Sequence, residues 1–385
     1  MTREYLLLVD DDQTITEGLS MLLERRGRTT IVCSDVESAE ITLARFPVTH
    51  LVSDVQFSGP FGYEGLHFLG RVREKLPQCR IVLITGQGSD ALRTTAITSG
   101  ANSMLAKPFD IDELETAIGS GPEDPSADPY AVIRVPSLDE ILGERSLEIA
   151  FQPIVRIERE GVSSFAFEAL SRLRGSWPGG GADTLFDYAA RRGRLAELNL
   201  HALRRAIETT SELPPSAFIF INLDPTAFTH GDLMRGLASA ARRAELPLDR
   251  IVLEVTERSA FAHPEAVTPL FHELRQAGVR FALDDHGSAY SHLSIVNSLR
   301  PAFVKISSTF GIALEGDKTR QSIVAHVAAM AHDLGCETVL EGIETGATAR
   351  IAADLGIHYA QGYHFGRPRG AGHWLALSKS TPNAA

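Results

Sequence analysis

Two successive series of short apolar runs, most of them followed by an amphipathic stretch, leave this chain few folds to choose from. The first series is Tyr5–Val9, Thr30–Cys33, His50–Ser53, Arg80–Thr85 and Ser103–Ala106. Short aliphatic runs alternating with helical periodicity mark strands buried on both faces, and they predict a doubly wound α/β fold with a five-stranded parallel sheet. The second series is Leu147–Ile157, Ser164–Ala169, Phe218–Leu223, Ile251–Val255, Arg280–Leu283, Phe303–Ile306, Thr338–Leu340 and Tyr359–Phe365. Eight such runs, mostly separated by helical patterns, predict a TIM-like (β/α)8 barrel. Between the two series, Gly119–Pro129 collects turn-formers without apolar periodicity and reads as a linker. The expected organisation is a first domain over 1–120, a linker over 121–136, a barrel over 137–377 and a tail over 378–385.

Composition narrows the partners. Hydrophobic residues make up 44% of the 385, enough for a separate core in each half. A formal net charge of -12 and a pI near 5.6 argue against nucleic acid and acidic membrane surfaces, which attract basic faces. Cys33, Cys79 and Cys336 form no ligand-spaced pair, so neither a disulfide nor a zinc site is expected. Met1-Thr2-Arg3-Glu4 leads straight into a strand-like run, and no apolar run reaches membrane-spanning length. A cytoplasmic protein is expected.

In a doubly wound sheet the ligand crevice lies at the carboxyl ends of the strands, and the polar residues of the first series fall there. Asp10 and Asp11 close the first run, Asp54 the third, Thr85 the fourth and Lys107 the fifth. Converging carboxylates repel by about 4 kcal/mol per pair at 4 Å and an effective dielectric of 20, so a cation is needed among them. Magnesium suits such an oxygen cluster. Asp54 is then placed as a nucleophile toward a phosphoryl donor, with Thr85 and Lys107 holding the phosphoryl oxygens.

Leu8-Val-Asp-Asp-Asp12, Ser53-Asp54, Leu83-Ile-Thr-Gly86 and Ala106-Lys-Pro-Phe109 resemble the response-regulator receiver family, in its order and over nearly the whole first domain. The resemblance implies that Asp54 is the phosphate acceptor, that Asp10, Asp11 and Asp54 hold magnesium, that Lys107-Pro108 is a cis peptide, and that a sensor histidine kinase is the donor. Two features depart from the family: a longer loop, Phe57–Gly65, follows the acceptor, and Met104 stands where an aromatic switch residue is common.

The same strand-end test applied to the second series finds Glu168, Asn222, Glu254, Asp284-Asp285, Lys305, Glu341 and Gln361, each at or near the end of its run. Five carboxylates at one barrel mouth need counter-charge, and two divalent ions supply it. Oxygen and amide ligands without histidine or thiolate favour magnesium or manganese over zinc. Such a pair serves in-line displacement at phosphorus, so phosphodiester hydrolysis is the expected reaction class. Lys305 suits the orientation of the attacking water or the neutralisation of developing charge.

These residues sit in Phe151-Gln-Pro-Ile154, Glu168-Ala-Leu-Ser-Arg172, Asn222-Leu223, Glu254-Val-Thr-Glu257, Asp284-Asp285, Lys305-Ile306, Glu341-Gly-Ile-Glu344 and Gln361-Gly-Tyr363. The set resembles the EAL family of cyclic di-GMP phosphodiesterases. The resemblance implies one metal on Glu168, Asn222, Glu254 and Asp284, and a second on Asp284, Asp285 and Glu341. It also implies Lys305 at the nucleophilic water, ligand contacts from Gln152, Leu170, Arg172 and Gln361, and Glu257 bracing the loop after Asp285. A first barrel strand antiparallel to the rest, linear pGpG as product and a homodimer follow from it too. His286-Gly-Ser-Ala-Tyr-Ser-His-Leu293 departs from the family by Ala289 in place of a glycine, and Lys305-Ile-Ser307 lacks the family's aspartate. These departures keep open a second reading, a cyclic di-GMP sensor that binds without cutting.

Three features outside the motifs complete the sequence. Arg191, Arg192, Arg194, Arg204 and Arg205 make a basic helical stretch whose expected role is a solvated face. His286 and His292 flank the altered loop, and Gly179-Gly180-Gly181 reads as a flexible loop at the barrel mouth.

Overall fold

The structure is a computed structural model describing the chain except residues 1–4, 26–27, 58–63, 87–89, 120–131, 144–145, 159–160, 175–180, 229–230, 257–263, 287–298 and 381–385. It divides into two compact units, Met1–Ser146 with Leu173–Arg194, and Leu147–Arg172 with Leu195–Ala385.

The first unit is built on β1 (Tyr5–Val9), β2 (Thr30–Cys33), β3 (Val48–Asp54), β4 (Arg80–Thr85), β5 (Ser103–Ala106) and β6 (Val132–Arg134). These form one parallel sheet in the order β5-β4-β3-β1-β2-β6. Strand alternation splits their side chains between two cores. Leu7, Val9, Ile31, Leu51, Ile81 and Leu83 pack on one face, and Leu6, Leu8, Val32, Val52, Val82 and Ile84 on the other. Helices α1 (Gln13–Arg25), α2 (Val36–Leu43), α3 (Glu64–Lys75), α4 (Asp90–Thr98) and α5 (Ile111–Ile118) connect the strands. The sheet has six strands where five were expected. Residues 132–134, read as linker, pair in register with Thr30–Val32 as β6, and a short helix α6 (Leu138–Leu142) follows, capped by Ser137. Three residues of strand are too short to show a period, which is why composition alone read them as linker.

The second unit is a closed barrel of β7 (Leu147–Glu158), β8 (Gly161–Leu173), β9 (Phe218–Asn222), β10 (Ile251–Thr256), β11 (Arg280–His286), β12 (Phe303–Ile306), β13 (Glu337–Leu340) and β14 (Tyr359–Gln361). Strand β7 runs antiparallel to β14, with Gln361 opposite Ile154. The remaining recorded pairs are parallel. Ile154, Ala166, Phe220, Val252, Ala282, Phe303, Val339 and Tyr359, one residue from each strand, fill the interior as a single apolar cluster. The outer core packs Leu203, Leu237, Leu274 and Phe271 from α8 (Leu195–Glu208), α9 (Asp232–Arg243) and α10 (Pro264–Gln276) onto the other strand face. Among the described residues no helix is long and apolar enough to cross a membrane.

Candidate active site

The interior apolar layer fixes what lies above it. Side chains on a strand share a face at every second residue. Two residues beyond Ala166, Phe220, Val252, Ala282, Phe303, Val339 and Tyr359 come Glu168, Asn222, Glu254, Asp284, Lys305, Glu341 and Gln361. The rule holds for antiparallel β7 with its direction reversed: Gln152 stands two residues before Ile154 and reaches the same level. Seven strands and one reversed strand thus place eight polar residues in one layer at the carboxyl mouth, where barrel chemistry is assembled.

Lys305 occupies the middle of this layer, 1% exposed. Its Nζ lies 2.8 Å from Glu254 Oε1, 2.8 Å from Glu341 Oε1, 3.4 Å from Glu168 Oε2 and 3.6 Å from Asp284 Oδ1. Burial works against the ammonium, yet the charges of Glu168, Glu254, Glu341 and Asp284 outweigh it and hold the pKa well above the ordinary lysine value. Glu168 is braced from both sides: Gln361 Nε2 donates to Oε2 at 2.6 Å and Asn222 Nδ2 to Oε1 at 3.0 Å. Against the cost of burial, the Lys305 charge and these hydrogen bonds hold its carboxyl below the usual range. Glu254 goes the other way. Burial, and then the Glu168 charge, push its pKa well above the carboxylate range. Burial also raises Glu341, with Lys305 opposing and Asp284 and Glu168 adding to the rise. Gln361 Nε2 reaches Gln152 Oε1 at 3.2 Å, and Gln152 Nε2 is anchored on the Gly366 carbonyl at 3.2 Å.

The chemistry of the donor set suits divalent metal ions, although among the described residues no three acids are already grouped to hold one, Lys305 standing between them. Oε2 of Glu254 and Oε1 of Gln361 are buried without a hydrogen-bond partner, while Glu254 Oε1 meets the Lys305 ammonium. One ammonium stands among four carboxylates. Buried acceptors left unpaired, with negative charge in excess, are what hard cations with oxygen ligands relieve. Asp285 is placed in β11, but its side chain, with Glu257, His292 and the rest of 287–298, lies outside the described residues. So do Gly179 and Gly180, while Gly181 caps the helix Ala182–Arg191. Arg172 is exposed at the end of β8, where its Nη1 donates to the Ser171 carbonyl at 2.8 Å, and Leu170 is half-buried beside it.

The backbone around Glu341 is held tightly. Its N–H donates to the Ile306 carbonyl at 3.1 Å, which extends the β12–β13 ladder by one residue. Gly342 follows at φ 73°, a left-handed conformation, and a Cβ there would meet Ser308. Gly311, in the short helix α11 (Ser308–Gly311), lies against the Glu341 carbonyl so closely that a Cβ would overlap it. The spacing of motifs gives no sign of this contact.

In the first unit the expected acceptor site also comes together. Lys107 Nζ donates to Asp10 Oδ2 at 2.8 Å and to Asp54 Oδ2 at 2.6 Å. Burial opposes the ammonium, but the hydrogen bonds and charges of these two acids raise its pKa. Burial raises Asp10 in turn, against the pull of Lys107. Asp10, Asp54 and Thr85 are buried and Asp11 is exposed, and Lys107-Pro108 is cis as expected. Met104 is buried in the sheet core.

Arg191 and Arg192 are exposed and Arg194 half-buried, as a solvated face requires, but all three also pair with acids of the first unit. Helix α7 (Ala182–Arg191) belongs to the first unit. Arg191 pairs with Glu40 at 3.0 Å, Arg192 with Glu37 at 3.2 Å and Arg194 with Asp139 at 2.6 Å. The acids lie on α2 and α6, distant in sequence, so charge pattern alone could not reveal the pairing.

Residues 137–368 match the model of the EAL domain, and residues 6–119 match that of the response regulator receiver domain. A probable cyclic di-GMP phosphodiesterase, PdeB of Escherichia coli, is 30% identical over 60% of this chain and 44% of its own length. The cyclic di-GMP phosphodiesterase NbdA of Pseudomonas aeruginosa is 28% identical over 60% of this chain and 30% of its own length. The chain thus spans less than half the length of these relatives. Among solved structures, the PaMucR phosphodiesterase in its c-di-GMP complex superposes with a TM-score of 0.55 at 28% identity, over 61% of this chain and 97% of that one. The manganese and cyclic di-GMP complex of Klebsiella pneumoniae BlrP1 superposes at 0.53 with 30% identity, over 60% of this chain and 57% of that one. With the eight-stranded barrel, its reversed β7 and the matched 137–368 together, the chain belongs to the EAL domain family and carries a response regulator receiver domain before it.

Proposed function

We propose that the chain is a cytoplasmic response regulator that hydrolyses cyclic di-GMP to linear pGpG, under control of phosphorylation at Asp54 by a sensor histidine kinase. The observation that carries the reading is the layer of Glu168, Asn222, Glu254, Asp284, Lys305, Glu341 and Gln361, converging on one buried ammonium above a filled barrel interior. Relatives named as cyclic di-GMP phosphodiesterases, and structural neighbours named as complexes with that nucleotide, support it.

Glu168, Asn222, Glu254 and Asp284 would hold one magnesium or manganese ion, and Asp284, Asp285 and Glu341 the other. Bound there, such a pair supplies Lewis acidity and an activated water. The protein's own groups do the rest. Gln361 and Asn222 fix both oxygens of Glu168, so this carboxylate needs no reorganisation when it acts. Lys305 keeps its proton and neutralises charge that builds on the attacked phosphate. Arg172, free to leave its Ser171 contact, takes a phosphate of the substrate, and Gln152, Leu170 and Gln361 seat the ligand. One water adds across one phosphodiester bond, leaving a 5′-phosphate on one side and a 3′-hydroxyl on the other. In the receiver, Asp10, Asp11 and Asp54 would hold magnesium, and Thr85 and Lys107 would receive the phosphoryl oxygens.

Incubation of the full chain with cyclic di-GMP and Mg²⁺ or Mn²⁺, followed by chromatography, should release pGpG, and Glu168→Ala should abolish release. Unchanged nucleotide after long incubation would overturn hydrolysis; binding without turnover would identify a sensor, the reading that Ser307 in place of an aspartate favours.

A further inference from the structure

Helix α7 packs within the receiver unit, although its sequence lies inside the span of the EAL match, between β8 and α8. Its buried positions Thr184, Leu185, Tyr188 and Ala189 form one stripe at helical spacing. Tyr188 is fully buried, and its hydroxyl donates to Asp35 Oδ2 at 2.6 Å. Arg45 Nη2 donates to Thr184 Oγ1 at the other end of the helix. Arg191 and Arg192 add the pairs with Glu40 and Glu37 on α2.

Asp35 is well placed to report on the acceptor site. It caps α2 by accepting from Ser38 N at 2.8 Å, and it follows Cys33 by two residues. The Cys33 carbonyl accepts the backbone N–H of Asp10, whose carboxylate meets Lys107 with Asp54. Asp10, Asp11 and Asp35 line one cavity of about 770 Å³ together with Arg191, Arg192 and Arg194.

We propose that α7 is a responsive arm of the receiver unit, held on α2 by Tyr188–Asp35 and the Arg191 and Arg192 ion pairs, whose seating answers to the state of Asp54. The inference rests on the reading of Asp54 as phosphoacceptor. A hydroxyl buried on a carboxylate is costly to leave unpaired, so Tyr188–Asp35 is the contact whose loss would free the arm. The flanking ion pairs are partly exposed and set the balance with little energy.

Hydrogen exchange in the full chain tests the arm without reference to hydrolysis. Loading with Mg²⁺ and beryllofluoride should change exchange in the peptide 182–191 by about two- to fivefold, the range a single partly exposed ion pair sustains. Glu40→Arg should raise exchange there in the unloaded protein and erase the response, and adding Arg191→Glu should restore both. Tyr188→Phe, which keeps the ring, should do the same as Glu40→Arg if that variant fails to fold. Unchanged exchange in 182–191 while the Asp54 peptide becomes protected would overturn the coupling alone. No protection at Asp54 would overturn the phosphoacceptor reading, and the coupling with it. Unaltered exchange in both Glu40→Arg and Tyr188→Phe would show that the arm is not held at these contacts.

Discussion

Lys305 Nζ lies 2.8 Å from Glu341 Oε1, and the same ammonium meets Glu254, Glu168 and Asp284. It is the internal counter-charge of a crowded acidic layer. Removing it from the metal-free protein leaves buried carboxylates uncompensated, a loss of about 3–5 kcal/mol when one partner of a buried pair is deleted. Lys305→Met should therefore melt well below wild type in EDTA, and Mn²⁺ should recover more of the melting temperature in the variant than in wild type. Equal Mn²⁺ shifts in the two proteins would count against Lys305 as the resident counter-charge.

Gly311 tests how far the Glu341 backbone must hold its place. A methyl group at 311 has nowhere to go except into the Glu341 carbonyl, because Glu341 is pinned by its hydrogen bond to Ile306. Gly311→Ala should cost about 1–3 kcal/mol, the usual penalty for overpacking. It should lower kcat for cyclic di-GMP at least tenfold while leaving the affinity of Arg172-type phosphate contacts nearly unchanged. Gly370→Ala, in open space and outside the left-handed region, serves as the control and should keep kcat.

Most of this arrangement was legible from residues alone, for a physical reason. A barrel puts its chemistry at strand ends and alternates side chains strictly, so an acid two residues beyond a buried aliphatic or aromatic residue is already located in space. Glu168, Glu254 and Glu341 follow that rule. The reversed direction of β7 was implied only by family resemblance, since an apolar run has no polarity of its own. Strand β6 was hidden by its length. The pairing of Arg191 with Glu40 joins residues 151 apart in sequence, and local charge pattern carries no information about such a partner. Lys305 stood out as a cation at a strand end, but its place amid four carboxylates needed coordinates.

His358 gives the barrel an acid sensitivity independent of the metal layer. Its Nδ1 accepts the Thr338 backbone N–H at 3.1 Å, so this nitrogen carries no proton in the folded state. Burial lowers its pKa below the usual histidine value, with Arg156 adding to the fall and Glu337 opposing it. The stability this contributes is present above the unfolded pKa of about 6.5 and is lost as pH falls through the folded value. The melting temperature should drop between pH 7.5 and 5, and His358→Asn, which keeps an acceptor without a titrating ring, should drop less. Parallel curves would exclude His358 as the source.

Cys33 and Cys79 predict the opposite limb. Burial pushes the Cys33 thiol up to about 12 and the Cys79 thiol up to about 11. Each therefore binds its proton more tightly folded than unfolded. Their stabilisation is complete below an ordinary thiol pKa of about 8.5 and is lost as pH rises through 9 toward those values, at about 1.4 kcal/mol per unit for each group. Native protein at pH 8 should resist iodoacetamide at both positions, as peptide mapping would read, and should become reactive only under denaturant. Melting temperature should decline above pH 9, and Cys33→Ala with Cys79→Ala should flatten that decline even though the double variant begins from a lower value. A decline as steep as wild type would show that other groups, the phenols of Tyr188 and Tyr359 foremost, govern the alkaline limb.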